Sequence, residues 1–210
     1  MGEAFDIDNW NRKEIYNLYK DYDDPFFNIS TYIEISSLYK FCKEENHSFN
    51  LSLLYLSTET INDLMEFKLR IINGNLVLFD EIHCGSTIFH EDNSFSFAYF
   101  RRRKDLNEFE KEGRAVIDAQ LKNKVFDPKN DFHDIIHHSV IPWTSFTSIK
   151  HARKISMADS IPKIVVGKYF TDDNKLQLPV SVEVHHALMD GYHVGQYFSI
   201  IQQKINDLPK

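Results

Sequence analysis

The stretch L-Q-L-P-V-S-V-E-V-H-H-A-L-M-D-G-Y-H-V, residues 176–194, reads as a strand that runs into a helix. Leu176, Leu178, Val180, Val182 and Val184 share one parity, and Gln177, Ser181 and Glu183 share the other, which is the alternation of a strand with one apolar face. His186 continues the apolar parity, whereas His185 points the opposite way. Pro179 has no amide hydrogen to give, so an edge, bulged or strand-start position is expected for it. Beyond Asp190 and Gly191, the residues Val194, Tyr197, Phe198, Ile201 and Ile205 recur at helical spacing and predict an amphipathic closing helix.

Outward from this unit the chain alternates between the same two periodicities. Residues Arg12 to Tyr22 are expected to form a short helix, stopped by the acidic turn Asp21, Asp23, Asp24 and by Pro25. Phe27, Ile29, Thr31, Ile33 and Ile35 then alternate as a strand. Ser36 and Ser37 can cap a helix from Leu38 to about Lys43, and Leu51 to Glu66 continues with a helical pattern. Phe67 to Ile72 and Leu76 to Phe79 are apolar runs joined by Asn73-Gly74, a pair that accepts the positive φ angles of a tight hairpin. Lys104 to Asn123 places Leu106, Phe109, Val116, Ile117 and Leu121 at helical spacing, and the basic run Arg101 to Lys104 before it is expected to be a solvated face. The mixture of strands and helices predicts an α/β fold. With 210 residues, 42% of them hydrophobic, and no linker-like tract, a single domain over residues 1–210 is expected.

A formal charge of −7 argues against nucleic acid or an anionic membrane as the main partner. Cys42 and Cys84 are too few for a disulfide framework and lack C-x-x-C spacing, so both are expected to be reduced. The N-terminus lacks the regions of a signal peptide, has Asp6 where myristoylation needs a hydroxyl residue, and no apolar run is long enough to span a membrane. A cytoplasmic protein is expected.

A histidine on the buried parity at a strand end is desolvated, which favours the neutral imidazole and suits it to act as a base near pH 7. The structural alternative is an imidazole hydrogen-bonded to a backbone carbonyl beside an Asp-Gly turn. A metal site is not expected: His185 and His186 point apart, and the set His133, His137 and His138 has no second cluster of ligands.

The segment H-H-A-L-M-D-G, residues 185–191, resembles the H-H-x-x-x-D-G signature of the chloramphenicol acetyltransferase family, shared more loosely with dihydrolipoyl acyltransferases and peptide-synthetase condensation domains. F-D-I-D-N-W-N-R-K-E, residues 5–14, and S-V-I-P-W-T-S-F-T-S, residues 139–148, resemble two further segments of the chloramphenicol enzymes, and G-K-Y, residues 167–169, a fourth. These stretches lie in the family's order along nearly the whole chain.

The resemblance implies the coenzyme A-dependent acyltransferase fold, a mixed β-sheet packed with helices, and direct transfer of acetyl from acetyl-coenzyme A to a hydroxyl of chloramphenicol, without a metal. His186 would be the general base, oriented mainly by its own backbone carbonyl, and Ser139 the hydroxyl that donates to the oxyanion. Asp190 and Arg12 would form a buried ion pair beside the site; His193 is expected to be structural from its own place on the first turn of the closing helix. Tyr19, Phe27, Thr87 and Phe95 would line the acceptor pocket, and Tyr169 and Trp143 the coenzyme A side. The family is trimeric, so the histidine of one subunit would face the pocket of its neighbour. Five positions depart from the family pattern: Pro25, Ile149, His151, Lys163 and Val165. Lys163 and His151 would make the pocket more polar unless they turn outward. Another hydroxyl or amine acceptor is therefore an alternative, and a weakly catalytic trimeric binding protein a second.

Overall fold

The computed structural model describes residues 2–129, 131–154 and 159–209. Two sheets organise the chain. The smaller has strands β1 (Gly2–Ala4), β3 (Leu69–Ile72) and β4 (Asn75–Phe79) in the order β1-β4-β3. The β3–β4 hairpin turns through Asn73 and Gly74, at φ 51° and 78°, the two consecutive positive angles that this sequence pair predicts.

The larger sheet holds β2 (Phe26–Glu34), β5 (His83–Phe89), β6 (Phe95–Phe100), β7 (Ile135–Val140), β8 (Lys163–Val166) and β10 (Lys175–His185) in the order β2-β10-β8-β7-β5-β6, with β9 (Phe170–Asp172) paired to the start of β10. The β5–β7 and β7–β8 pairs are parallel and the others antiparallel, a mixed sheet as expected.

The helices are α1 (Lys13–Tyr19), α2 (Ser36–Glu44), α3 (Phe49–Asn62), α4 (Leu106–Asn123) and α5 (Gly191–Asn206). Their termini differ from the sequence expectation where side chains find other partners. Helix α1 is shorter than Arg12 to Tyr22 at both ends. Ser36 does not cap α2, because its Oγ accepts the N–H of Leu176 in β10 at 3.0 Å. Helix α3 begins earlier than Leu51, with Ser48 Oγ accepting the Leu51 N–H at 3.4 Å, and it ends before Glu66. Helix α3 is buried over most of its circumference, so its hydroxyls bond inside the core: Thr58 and Thr60 donate to carbonyls one turn back, and Ser57 meets Tyr197 of α5 at 2.8 Å. The basic run is not simply solvated either: Arg102 forks onto Glu59 at 2.5 and 2.7 Å and is four-fifths buried.

Strand β10 departs most from its sequence reading. It lies between β2 on one side and β8 and β9 on the other, and both of its parities are buried from Leu178 to His185. Pro179 sits mid-strand, opposite Tyr32 of β2. Its ring is tolerated because its carbonyl side faces the gap where β9 pairing ends at Gln177 and β8 pairing begins at Val180, and the carbonyl accepts the N–H of Gly167 at 2.9 Å.

Register places Glu183, Lys163, His137 and Gly85 in one row across the sheet, and Ser30, Ser181, Val165 and Ser139 in the next. This face is polar. The opposite parity, with Val182, Val184, Ile164 and Ile136, joins the core beneath α3 and α5.

Candidate active site

His186 follows the last residue of β10 and is half-buried. Its backbone N–H donates to the Pro25 carbonyl at 2.8 Å, so one departing position anchors the histidine through its main chain. The ring lies flat on Tyr19, with centroids 4.0 Å apart and 4° between planes, and against Phe27 at 4.7 Å. Its Nδ1 is buried and has no hydrogen-bond partner among the described residues. The expected hold by its own carbonyl is thus replaced here by aromatic packing.

Parity assigned desolvation to His186 alone; His185 is buried as well, against Phe26, and burial pushes its imidazole down to about 4. The second face of the strand is covered as well as the first, which explains this.

Beside His186, Arg12 Nη1 donates to Asp190 Oδ2 at 2.5 Å. Burial pushes the Asp190 carboxyl up, but the hydrogen bond and charge of Arg12, with His193, outweigh this and hold it below the usual carboxylate range. Asp190 also caps α5: Oδ1 accepts the Tyr192 N–H at 3.0 Å, while its own N–H donates to His193 Nδ1 at 3.1 Å. His193 Nε2 is 3.6 Å from Glu66, whose carboxyl that contact lowers. Sequence reading missed Glu66, because nothing in its local pattern points to a helix 125 or more residues downstream.

Ser139 lies elsewhere. It lines a cavity of about 1060 Å³ together with Thr87, Phe95, Trp143 and Tyr169, and His186, Tyr19 and Phe27 are not among the lining residues. Trp143 is 63% exposed and packs edge-on against Phe89, while Tyr169 meets Tyr39 and Phe49 edge-on. The site residues therefore fall into two groups on one chain, a histidine group and a serine cavity.

Of the remaining departing positions, Ile149, His151 and Val165 line the cavity. Lys163 does not: it is buried, with Nζ 2.5 Å from Asp159 and 4.5 Å over the Phe26 ring. His151 points its Nδ1 at Glu183 Oε2, 3.3 Å away, and Arg153 Nη1 lies 3.9 Å from Glu183 Oε1. Glu183 and Arg153 were not singled out from the sequence, although a carboxylate inside an apolar strand is the available signal. No group of three or more His, Cys, Asp or Glu among the described residues is arranged to hold a metal.

The arrangement of helices on a mixed sheet has solved counterparts. A dihydrolipoamide acetyltransferase of Azotobacter vinelandii superposes with a TM-score of 0.69 at 17% identity, covering 88% of this chain and 82% of its own. The fold is that of the coenzyme A-dependent acyltransferases. A solved chloramphenicol acetyltransferase superposes with a TM-score of 0.89 at 28% identity, covering 97% and 99% of the two chains. The chloramphenicol acetyltransferase of Proteus mirabilis is 31% identical over 203 residues, 94% of this chain and 92% of its own, and the family's sequence profile, "Chloramphenicol acetyltransferase", matches residues 3–202. The chain belongs to the chloramphenicol acetyltransferase family and is an acyltransferase.

Proposed function

We propose that this enzyme transfers the acetyl group of acetyl-coenzyme A to a hydroxyl of chloramphenicol, and that it works in the cytoplasm as a homotrimer of single-domain subunits. His186 takes the proton of the attacking hydroxyl, and Ser139 donates to the oxyanion that forms on the thioester carbonyl. No acyl-enzyme forms. The proton transfer is worth about 10²–10⁴ in rate, and one oxyanion donor about 10²–10³.

The observation that carries this reading is the division of the site. His186, with Tyr19 and Phe27, is absent from the cavity that holds Ser139, Thr87 and Phe95. Each group is half of a site that a second copy of the chain completes, with Tyr19 and Phe27 on the histidine side of the acceptor. Trp143 and Tyr169 guide coenzyme A along the serine side. The Arg12–Asp190 pair holds the N-terminal segment against the turn that carries His186. That no helix among the described residues is long and apolar enough to cross a membrane is consistent with this setting.

The test is release of coenzyme A thiol from acetyl-coenzyme A by purified protein, with and without chloramphenicol. Drug-dependent release that vanishes in His186→Ala is expected. A second reading, transfer to a different hydroxyl or amine, is favoured by His151 in the cavity wall. Release with other acceptors and none with chloramphenicol would establish it.

A further inference from the structure

Glu183 stands in the middle of the polar sheet face with a side chain only 4% exposed. Burial pushes its carboxyl up, but the hydrogen bond that His151 donates and the charge of Lys163 outweigh burial and keep it below the usual range. It is therefore ionised at neutral pH. A carboxylate only accepts hydrogen bonds, so the neutral imidazole of His151 places its proton on Nδ1, 3.3 Å from Glu183 Oε2, and leaves Nε2 as the acceptor. The hydrogen bond of the His151 ring is made by Nδ1, while the residue lines the Ser139 cavity beside Ile149 and Val165, which offer no polar group.

The geometry points to His151 as a specificity-determining residue, whose Nε2 accepts a hydrogen bond from an acceptor hydroxyl or N–H other than the hydroxyl that reacts. This rests on the Ser139 cavity being the acceptor site. An acceptor without that second donor would cover the imidazole lone pair and leave it unpaired, so the cavity discriminates against it. Glu183 is the positioning residue: it fixes the tautomer that makes His151 an acceptor.

The experiment compares chloramphenicol with its analogue lacking the benzylic hydroxyl, by kcat/KM and by calorimetric binding, in wild type, His151→Leu, His151→Gln and Glu183→Gln. Wild type is expected to favour chloramphenicol by at least about tenfold, since leaving one buried acceptor unpaired costs about 1–3 kcal/mol. His151→Leu should bring the ratio to about one, by loss on chloramphenicol, whose hydroxyl loses its partner, and by gain on the analogue, which no longer covers an unpaired imidazole, and His151→Gln, which keeps an acceptor, should restore part of it. Glu183→Gln should lower the ratio with His151 in place. A purely structural role would lower both substrates equally. A wild-type ratio near one, or a ratio unchanged in folded His151→Leu, overturns the assignment. If chloramphenicol is bound with discrimination but never acetylated, the proposed reaction fails and the assignment of His151 stands; absence of binding by both compounds overturns it.

Discussion

Arg12 and Asp190, 178 positions apart in sequence, meet through Nη1 and Oδ2 at 2.5 Å, one residue before the first turn of α5 and four residues after His186. The guanidinium is 7% exposed and the carboxylate 33%, so the pair is partly shielded from solvent screening. Arg12→Met and Asp190→Asn are each expected to cost about 3 kcal/mol, the lower end for a one-sided break of a buried pair because Asp190 keeps some solvent. Urea unfolding of both single variants and the double variant checks this, and the double should cost less than the sum.

The ring stack between Tyr19 and His186 orients the His186 imidazole, the proposed base, without a hydrogen bond to Nδ1. An aromatic pair of this kind is worth about 0.5–1.5 kcal/mol beyond its buried area. Tyr19→Ala is therefore expected to lower kcat about three- to tenfold with a smaller change in acetyl-coenzyme A affinity, and Tyr19→Phe to retain most activity. Steady-state kinetics of the two variants decides between stacking and a role for the phenol.

If the histidine group and the serine cavity complete one another across a subunit boundary, two inactive variants must rescue each other. His186→Ala and Ser139→Ala homotrimers are each expected to lose at least about a hundredfold in kcat. Trimers reassembled from an equal mixture should regain about a quarter of their sites, since half the histidine sides and half the serine sides are intact. No regain in mixed trimers verified by mass would show that each chain builds its own site.

Acid should weaken the fold in stages. His137, His138 and His185 are pushed by burial to about 4 in the folded chain. Between their ordinary value of about 6.5 and about 4 the unfolded chain binds protons that the folded chain refuses, so stability rises with pH. Each histidine contributes at most about 1.4 kcal/mol per pH unit in that window. Carboxylates held low, Asp190 and Glu183 among them, add stability that is present above their ordinary range and lost only as pH falls through their depressed values. Urea midpoints measured at about pH 7.5, 6 and 5 should fall steadily, and His138→Leu should flatten the slope by about a third.

Local signals carried as far as local physics reaches. The Asn73-Gly74 hairpin was legible because two consecutive positive φ angles need residues of that kind, and the Asp190 start of α5 because a carboxylate satisfies free amides at a helix N-terminus. The family motifs marked His186, Ser139, Arg12 and Asp190 before any contact was seen. Neighbours in space were not legible. Ser36, read as a cap, gives its oxygen to Leu176, 140 residues away, and Glu66 reaches His193 across 127.

By itself the sequence determined the types of the elements at both ends of the chain, the β3–β4 hairpin, α4 and the chemistry available to the histidine pair, because periodicity and turn chemistry act over a few residues; strands β5 to β9 were not legible in it. Only the tertiary structure decided that β10 is central, that both of its parities are buried with His185 covered more fully than His186, and that a gap in its pairing makes a mid-strand proline tolerable. It also turned Lys163 away onto Asp159 while bringing His151 to Glu183 in the cavity wall. Strand alternation tells a side chain which face it occupies; what covers that face depends on strands and loops that pair through long-range hydrogen bonds.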